Sequence, residues 1–97
     1  MALYVGLYKF TDQGIRNIKD SPKRLEAAIK AAEAVGIKIR GAYYTMGEYD
    51  LVLVSEVTNE EVAVANTLAT NALGNARSTT MRAFAPSEFA EIVKKIP

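Results

Sequence analysis

Two runs of this chain, Leu3 to Phe10 and Tyr49 to Val57, are apolar on both of their alternating faces. Successive side chains of a β-strand point to opposite sides, so a strand apolar on both must be covered on both. In the first run Leu3, Val5 and Leu7 share one side, while Tyr4, Tyr8 and Phe10 share the other. In the second, Leu51 to Val54 is unbroken. Strands of this kind belong at the centre of a sheet. Two further runs are more polar. Ile37 to Met46 sets Lys38 and Arg40 against Ile37 and Ile39, and Ala76 to Ala85 carries Arg77 and Arg82. These suit the edges.

Helical patterns fill the gaps between the runs. Leu25, Ala28, Ile29, Ala32 and Val35 recur at helical spacing, with Glu26 and Lys30 paired on the outer face. Ser21 or Asp20 can cap this helix, Pro22 suits its first position, and Gly36 stops it. Gly47-Glu48 fits a two-residue hairpin turn. Thr58 and Glu61 form a capping-box pattern before a helix to about Leu73, with Ala65, Leu68, Ala69 and Ala72 on one face. Pro86 opens a last helix striped by Phe89, Ile92, Val93 and Ile96. The order predicts a single α+β domain over residues 1–97, ferredoxin-like βαββαβ with a C-terminal helix. Its two main helices cover one sheet face. The other would expose an apolar patch that self-association can cover, as in a dimer sharing a barrel-like interior.

Composition removes many kinds of chemistry. The chain has no Cys and no His, so disulfides, thiolate or imidazole zinc sites, His- or Cys-held haem and an imidazole base are excluded. No metal and no cofactor is expected, and reaction chemistry falls to Tyr, Lys, Arg, Asp, Glu, Ser or Thr. A net charge of +1 gives no field for nucleic acid or an anionic membrane, and neither is an expected partner. Met1 to Phe10 lacks the basic start of a signal peptide, and no run reaches membrane-spanning length. A soluble cytoplasmic protein is expected.

Thr11 to Arg24 is long for a strand-to-helix link and holds Arg16, Lys19, Lys23 and Arg24. Cations beside free N–H groups at a helix start suit a carboxylate or phosphate, with Arg16, Lys19 and Arg24 as candidate ligand-binding residues. A solvated basic face, or a contact with a neighbouring subunit, explains the same cluster and carries more weight. Residues 9–24 hold five basic groups against two acids, and 48–61 hold five acids and no base, which allows such a contact. Asp50 opens an apolar strand. Either it satisfies backbone groups at the hairpin or it is a desolvated general base, with Tyr49 and Tyr8 as further catalytic candidates. Tyr4 and Tyr8 share one strand face and can line a cavity, with Arg82, Thr80 or Asp50 as hydroxyl partners. The alternative is a core or interface role. Arg77 and Arg82 fall on opposite faces.

T-D-Q-G-I-R-N-I-K-D-S-P-K-R at 11–24, Y-T-M-G-E-Y-D at 44–50 and L-G-N-A-R-S-T-T-M-R-A-F at 73–84 together resemble the GYD-domain family of small prokaryotic proteins, over nearly the full length. The resemblance implies a ferredoxin-like relative of the dimeric α/β barrels. It draws attention to Asp12, Gly14, Asn17, Lys19, Ser21, Arg24, Gly47, Tyr49, Asp50, Asn75, Arg77 and Arg82. Wider relatives of that barrel include haem enzymes, cofactor-free oxygenases, isomerases and ligand sensors, and the missing His argues against the haem branch. The expectation is a homo-oligomeric protein binding a small anionic or aromatic molecule. Alternatives are a cofactor-independent enzyme using Asp50 as acid or base, with Tyr8, Tyr49 or Arg82 orienting substrate, and a structural assembly protein.

Overall fold

A computed structural model describes residues 1–97. Strand β1 (Ala2–Phe10) runs into a five-residue helix α1 (Asp12–Arg16) and a 3₁₀ turn (Ile18–Asp20), then α2 (Ser21–Ala34). The chain continues through β2 (Lys38–Tyr44), β3 (Leu51–Val57), α3 (Glu60–Ala72), β4 (Ala76–Ala83) and α4 (Pro86–Val93). The strands form one antiparallel sheet in the order β2-β3-β1-β4. This is the ferredoxin-like α+β fold, with the two doubly apolar strands at its centre.

Register divides the sheet into two faces. On one, Tyr4 lies opposite Ser55 and Arg82, Gly6 opposite Leu53 and Thr80, and Tyr8 opposite Leu51 and Ser78. This face meets α2 and α3, and the core cluster of Ala32, Ile37 and Val57 sits there with Tyr4, Ile39, Val62 and Ala63 against it. On the other face Val5 lies between Val54 and Met81, and Leu7 between Val52 and Thr79. Tyr43, opposite Val52, extends that face and is 63% exposed.

The core is thin. Seven of 97 residues are buried, and the surface of 6795 Å² exceeds by roughly a quarter the ~5,500 Å² expected of a monomer this size. The radius of gyration, 14.7 Å, exceeds the roughly 12.5 Å of a compact chain of this length. The apolar stripe of α4 and the residues after it (Phe89, Ile92, Val93 and Ile96) is exposed, Ile96 by 69%.

Four local expectations change. The β2–β3 connection is a six-residue loop, Thr45 to Asp50, rather than a two-residue turn, because Thr45 N–H donates to the Asp50 carbonyl at 2.9 Å. Asp50 therefore precedes β3 instead of lying inside it. The cap of α3 is Asn59, whose side chain accepts from Val62 N–H at 3.2 Å, in place of Thr58. Neither Asp20 nor Ser21 caps α2 with its side chain, since the helical 3₁₀ turn leads directly into it.

Candidate functional site

Small side chains on facing elements leave space beneath the two main helices. Gly6 and Ser55 on the sheet, Ala28 and Ala32 on α2, and Ala63 on α3 border a cavity of about 300 Å³. Tyr4, Tyr8, Ile39 and Leu53 supply its apolar walls, and Asn66, Thr67, Thr70 and Thr80 its polar groups. Glu60 is the one charged side chain on its lining. The Tyr8 ring crosses Gly6 so closely that a Cβ there would meet Tyr8 Cε1 at 2.9 Å and the ring would have to shift.

A second cavity of about 90 Å³ adjoins the first, sharing Tyr8, Ala28, Leu53 and Thr70. Phe10, Leu25, Leu51, Leu73 and Ala76 make it apolar, and Arg24 is its only charged side chain. Arg24 Nη1 donates to the Asn17 carbonyl at 2.8 Å. Its Nη2 is buried and has no partner.

The tyrosines do different jobs. Tyr4 donates its hydroxyl to Glu60 at 3.2 Å, and burial, then Glu60, raises its pKa above the usual 10.0 against an opposing pull from Arg82. Burial likewise raises the Tyr8 phenol above 10.0, and the structure gives its hydroxyl no protein partner. Tyr44 pairs with the buried Ser21 hydroxyl at 2.9 Å. For Tyr8 the folded chain retains a proton that the unfolded chain releases near pH 10. Its contribution to stability is therefore full below that pH and declines as pH rises through the folded pKa. Denaturant unfolding between pH 8 and roughly pH 11 should show a steeper loss for wild type than for Tyr8→Phe. Parallel curves would remove Tyr8 from this role.

The other expected site residues lie elsewhere. The Asp50 carboxylate accepts from Phe10 N–H at 2.8 Å, and Asp50 N–H donates to the Tyr8 carbonyl at 2.8 Å. Asp50 thus ties the loop to the end of β1, a backbone partner on another strand rather than at the hairpin itself. Tyr49 lies in the same loop, its carbonyl accepting from Thr45 Oγ1 at 2.6 Å. Neither lines either of the two cavities described above. Arg82 stacks 4.3 Å from the Phe84 ring centroid and 5.9 Å from that of Tyr4, outside both cavities. Arg77, opposite Lys9, is on the other sheet face. Arg16 and Lys19 are exposed and lie apart from Arg24's cavity. No group of three or more Asp, Glu, His or Cys side chains is placed to hold a metal ion. No helix is long and apolar enough to cross a membrane.

Thr11 to Asn17 has a further, unanticipated task. Thr11 N–H donates to the Asn75 carbonyl at 3.1 Å and Thr11 Oγ1 to the Gly74 carbonyl at 2.5 Å. Gln13 Nε2 reaches the Leu73 carbonyl and Asn75 Oδ1, each at 3.0 Å. The segment clamps the α3–β4 corner, which closes the small cavity through Leu73, Asn75 and Ala76. Sequence reasoning did not single out Thr67, Thr70, Asn66 or Ser55. Ser55, a small polar residue within the apolar third strand, was the available signal.

A family model described as GYD domain matches residues 4–93. Neither a curated protein nor a solved structure matches the chain.

Proposed function

The chain belongs to the GYD domain family, and on that premise we propose that it is a homo-oligomeric protein binding a small molecule between its sheet and main helices. The observation that carries this reading is the cavity of about 300 Å³, apolar in its walls and dotted with hydroxyl and amide groups. That volume is at the low end for small-molecule sites, and the mixture of lining groups is the usual one. Binding without chemistry fits the lining better than catalysis. Asp50, the acid–base candidate, is engaged with backbone outside the cavity, and the hydroxyl–carboxylate pair on its lining, Tyr4 with Glu60, holds the phenol's pKa up, the opposite of an activated nucleophile. The second copy belongs to the same proposal, because the two main helices, α2 and α3, lie on the opposite sheet face and leave the apolar Val5, Val54 and Met81 face to another cover.

A thermal-shift panel of small aromatic and aliphatic molecules tests the site. A ligand at 100 times its Kd should stabilise by about 2.7 kcal/mol, on the order of 10 °C for a domain of this size. Thr67→Phe, which places a ring in the cavity, should abolish the shift while retaining a cooperative melt. Equal shifts in both proteins would place binding elsewhere. A panel without any shift would favour a purely structural role.

A further inference from the structure

The C-terminal helix carries a complete apolar stripe and finds nothing in its own chain to bury it. Its start is well specified, with Pro86 in the first turn and the Ala85 N–H donating to Glu88 Oε1 at 3.0 Å. Phe89, Ile92, Val93 and Ile96 recur at helical spacing, one stripe along α4 and the turn after it. Ser87, Glu88, Glu91, Lys94 and Lys95 occupy the other side, where Glu91 and Lys94 pair at 3.0 Å. Yet every residue from Pro86 to Pro97 is exposed, and no hydrogen bond or ion pair ties that stretch to the body of the domain. Whereas α2 packs on β2 and α3 on β4, α4 has no comparable neighbour.

A helix of eight residues is marginal in water by itself and draws its stability from packing. Surface area points to what it packs on. The chain carries roughly 1,300 Å² more surface than a monomer of its size, and two copies hiding that excess would bury about 2,600 Å², in the range of obligate homodimers. A standard interface removes about 800 Å² per partner, so one face of ordinary size does not account for the excess and a second apolar surface is needed. Connectivity agrees. Two residues join α4 to β4, and Met81 and Ala83 of β4 lie on the uncovered sheet face beside Val5 and Leu3. The helix therefore leaves from the margin of the surface that a second copy would cover. Its polar side carries two acids and two bases, unlike the Lys- and Arg-rich helices that lie on membranes.

Resting on the homo-oligomer reading above, we propose that α4 is an arm that packs its Phe89, Ile92, Val93 and Ile96 stripe against a second copy of this chain. The two copies exchange arms reciprocally, as two-fold symmetry requires. The arm extends the Val5, Val54 and Met81 interface and gives α4 the packing that its own domain does not supply.

The chain has no Trp, so Phe89→Trp in the full chain places a single reporter on the stripe. Acrylamide quenching, read beside sedimentation from nanomolar to micromolar concentration, should show the indole open in the monomer and shielded in the dimer. Ile92→Glu should raise the dissociation constant at least about tenfold, as loss of an interface anchor does. It should leave denaturant unfolding of the monomer unchanged, because α4 is exposed throughout. A dimer whose indole stays open, or one as tight with Ile92→Glu as without it, would overturn this inference and leave pairing through the sheet face intact. An indole shielded in the monomer, or shielded only by anionic vesicles, would also overturn it, giving the stripe to the chain's own domain or to a membrane. Wild type that stays monomeric at micromolar concentration would overturn both this inference and the homo-oligomer reading.

Discussion

Gly14→Ala should destabilise the fold by about 3 kcal/mol or more, lowering Tm by roughly 12 °C or more for a domain of this size. The reason is steric and specific. A Cβ on residue 14 would lie 2.0 Å from the Asn75 carbonyl oxygen and 3.0 Å from its carbon. Both are backbone atoms, so relief cannot come from a rotamer change. It requires α1 to lift from the α3–β4 corner, breaking the Thr11 and Gln13 hydrogen bonds to residues 73–75. Denaturant and thermal melts of the two proteins check it. A Tm within about 2 °C of wild type would mean that this close approach is absent in solution.

Val5→Arg should convert a dimer into a monomer, raising the dissociation constant by roughly 100-fold or more. Val5 is central on the uncovered sheet face, between Val54 and Met81. A guanidinium there is solvated in the monomer and would be buried unpaired in a dimer built on that face. The surface excess noted above, roughly 1,300 Å², is more than the about 800 Å² per partner that a standard interface removes. Sedimentation velocity at micromolar concentration provides the readout. Wild type sedimenting as a monomer, or Val5→Arg as a stable dimer, would reject pairing through this face.

Much of the architecture was legible because it depends on periodicity, which is local. The doubly apolar β1 and β3 fall at the sheet centre, and the polar β2 and β4 at its edges. Boundaries were less legible. The loop before β3 is longer than Gly47-Glu48 alone suggests, because Thr45 bonds across it to Asp50 and Asp50 bonds sideways to β1. A side chain's choice between local and distant backbone partners does not show in a propensity pattern.

The candidate site was legible in part. Tyr4, Tyr8 and Arg24 were named from the sequence and do border the cavities, whereas Asp50, Tyr49, Arg16, Lys19 and Arg82 do not. Charge density pointed to the whole 11–24 segment, but only one of its four cations turns inward. Helical phase and the Asn17 carbonyl make that selection.

By itself the sequence determined the order of elements, the layering of the sheet, the absence of thiol and imidazole chemistry, and the family. These follow from side-chain alternation and residue type, which act over a few positions. Only the tertiary structure decided that Thr11, Gln13 and Gly14 form a clamp, that Asp50 serves backbone, and that Arg24 keeps an unpartnered nitrogen beside a cavity. Each joins residues about 40 or 60 positions apart, or depends on the space left between them, and packing in three dimensions sets both.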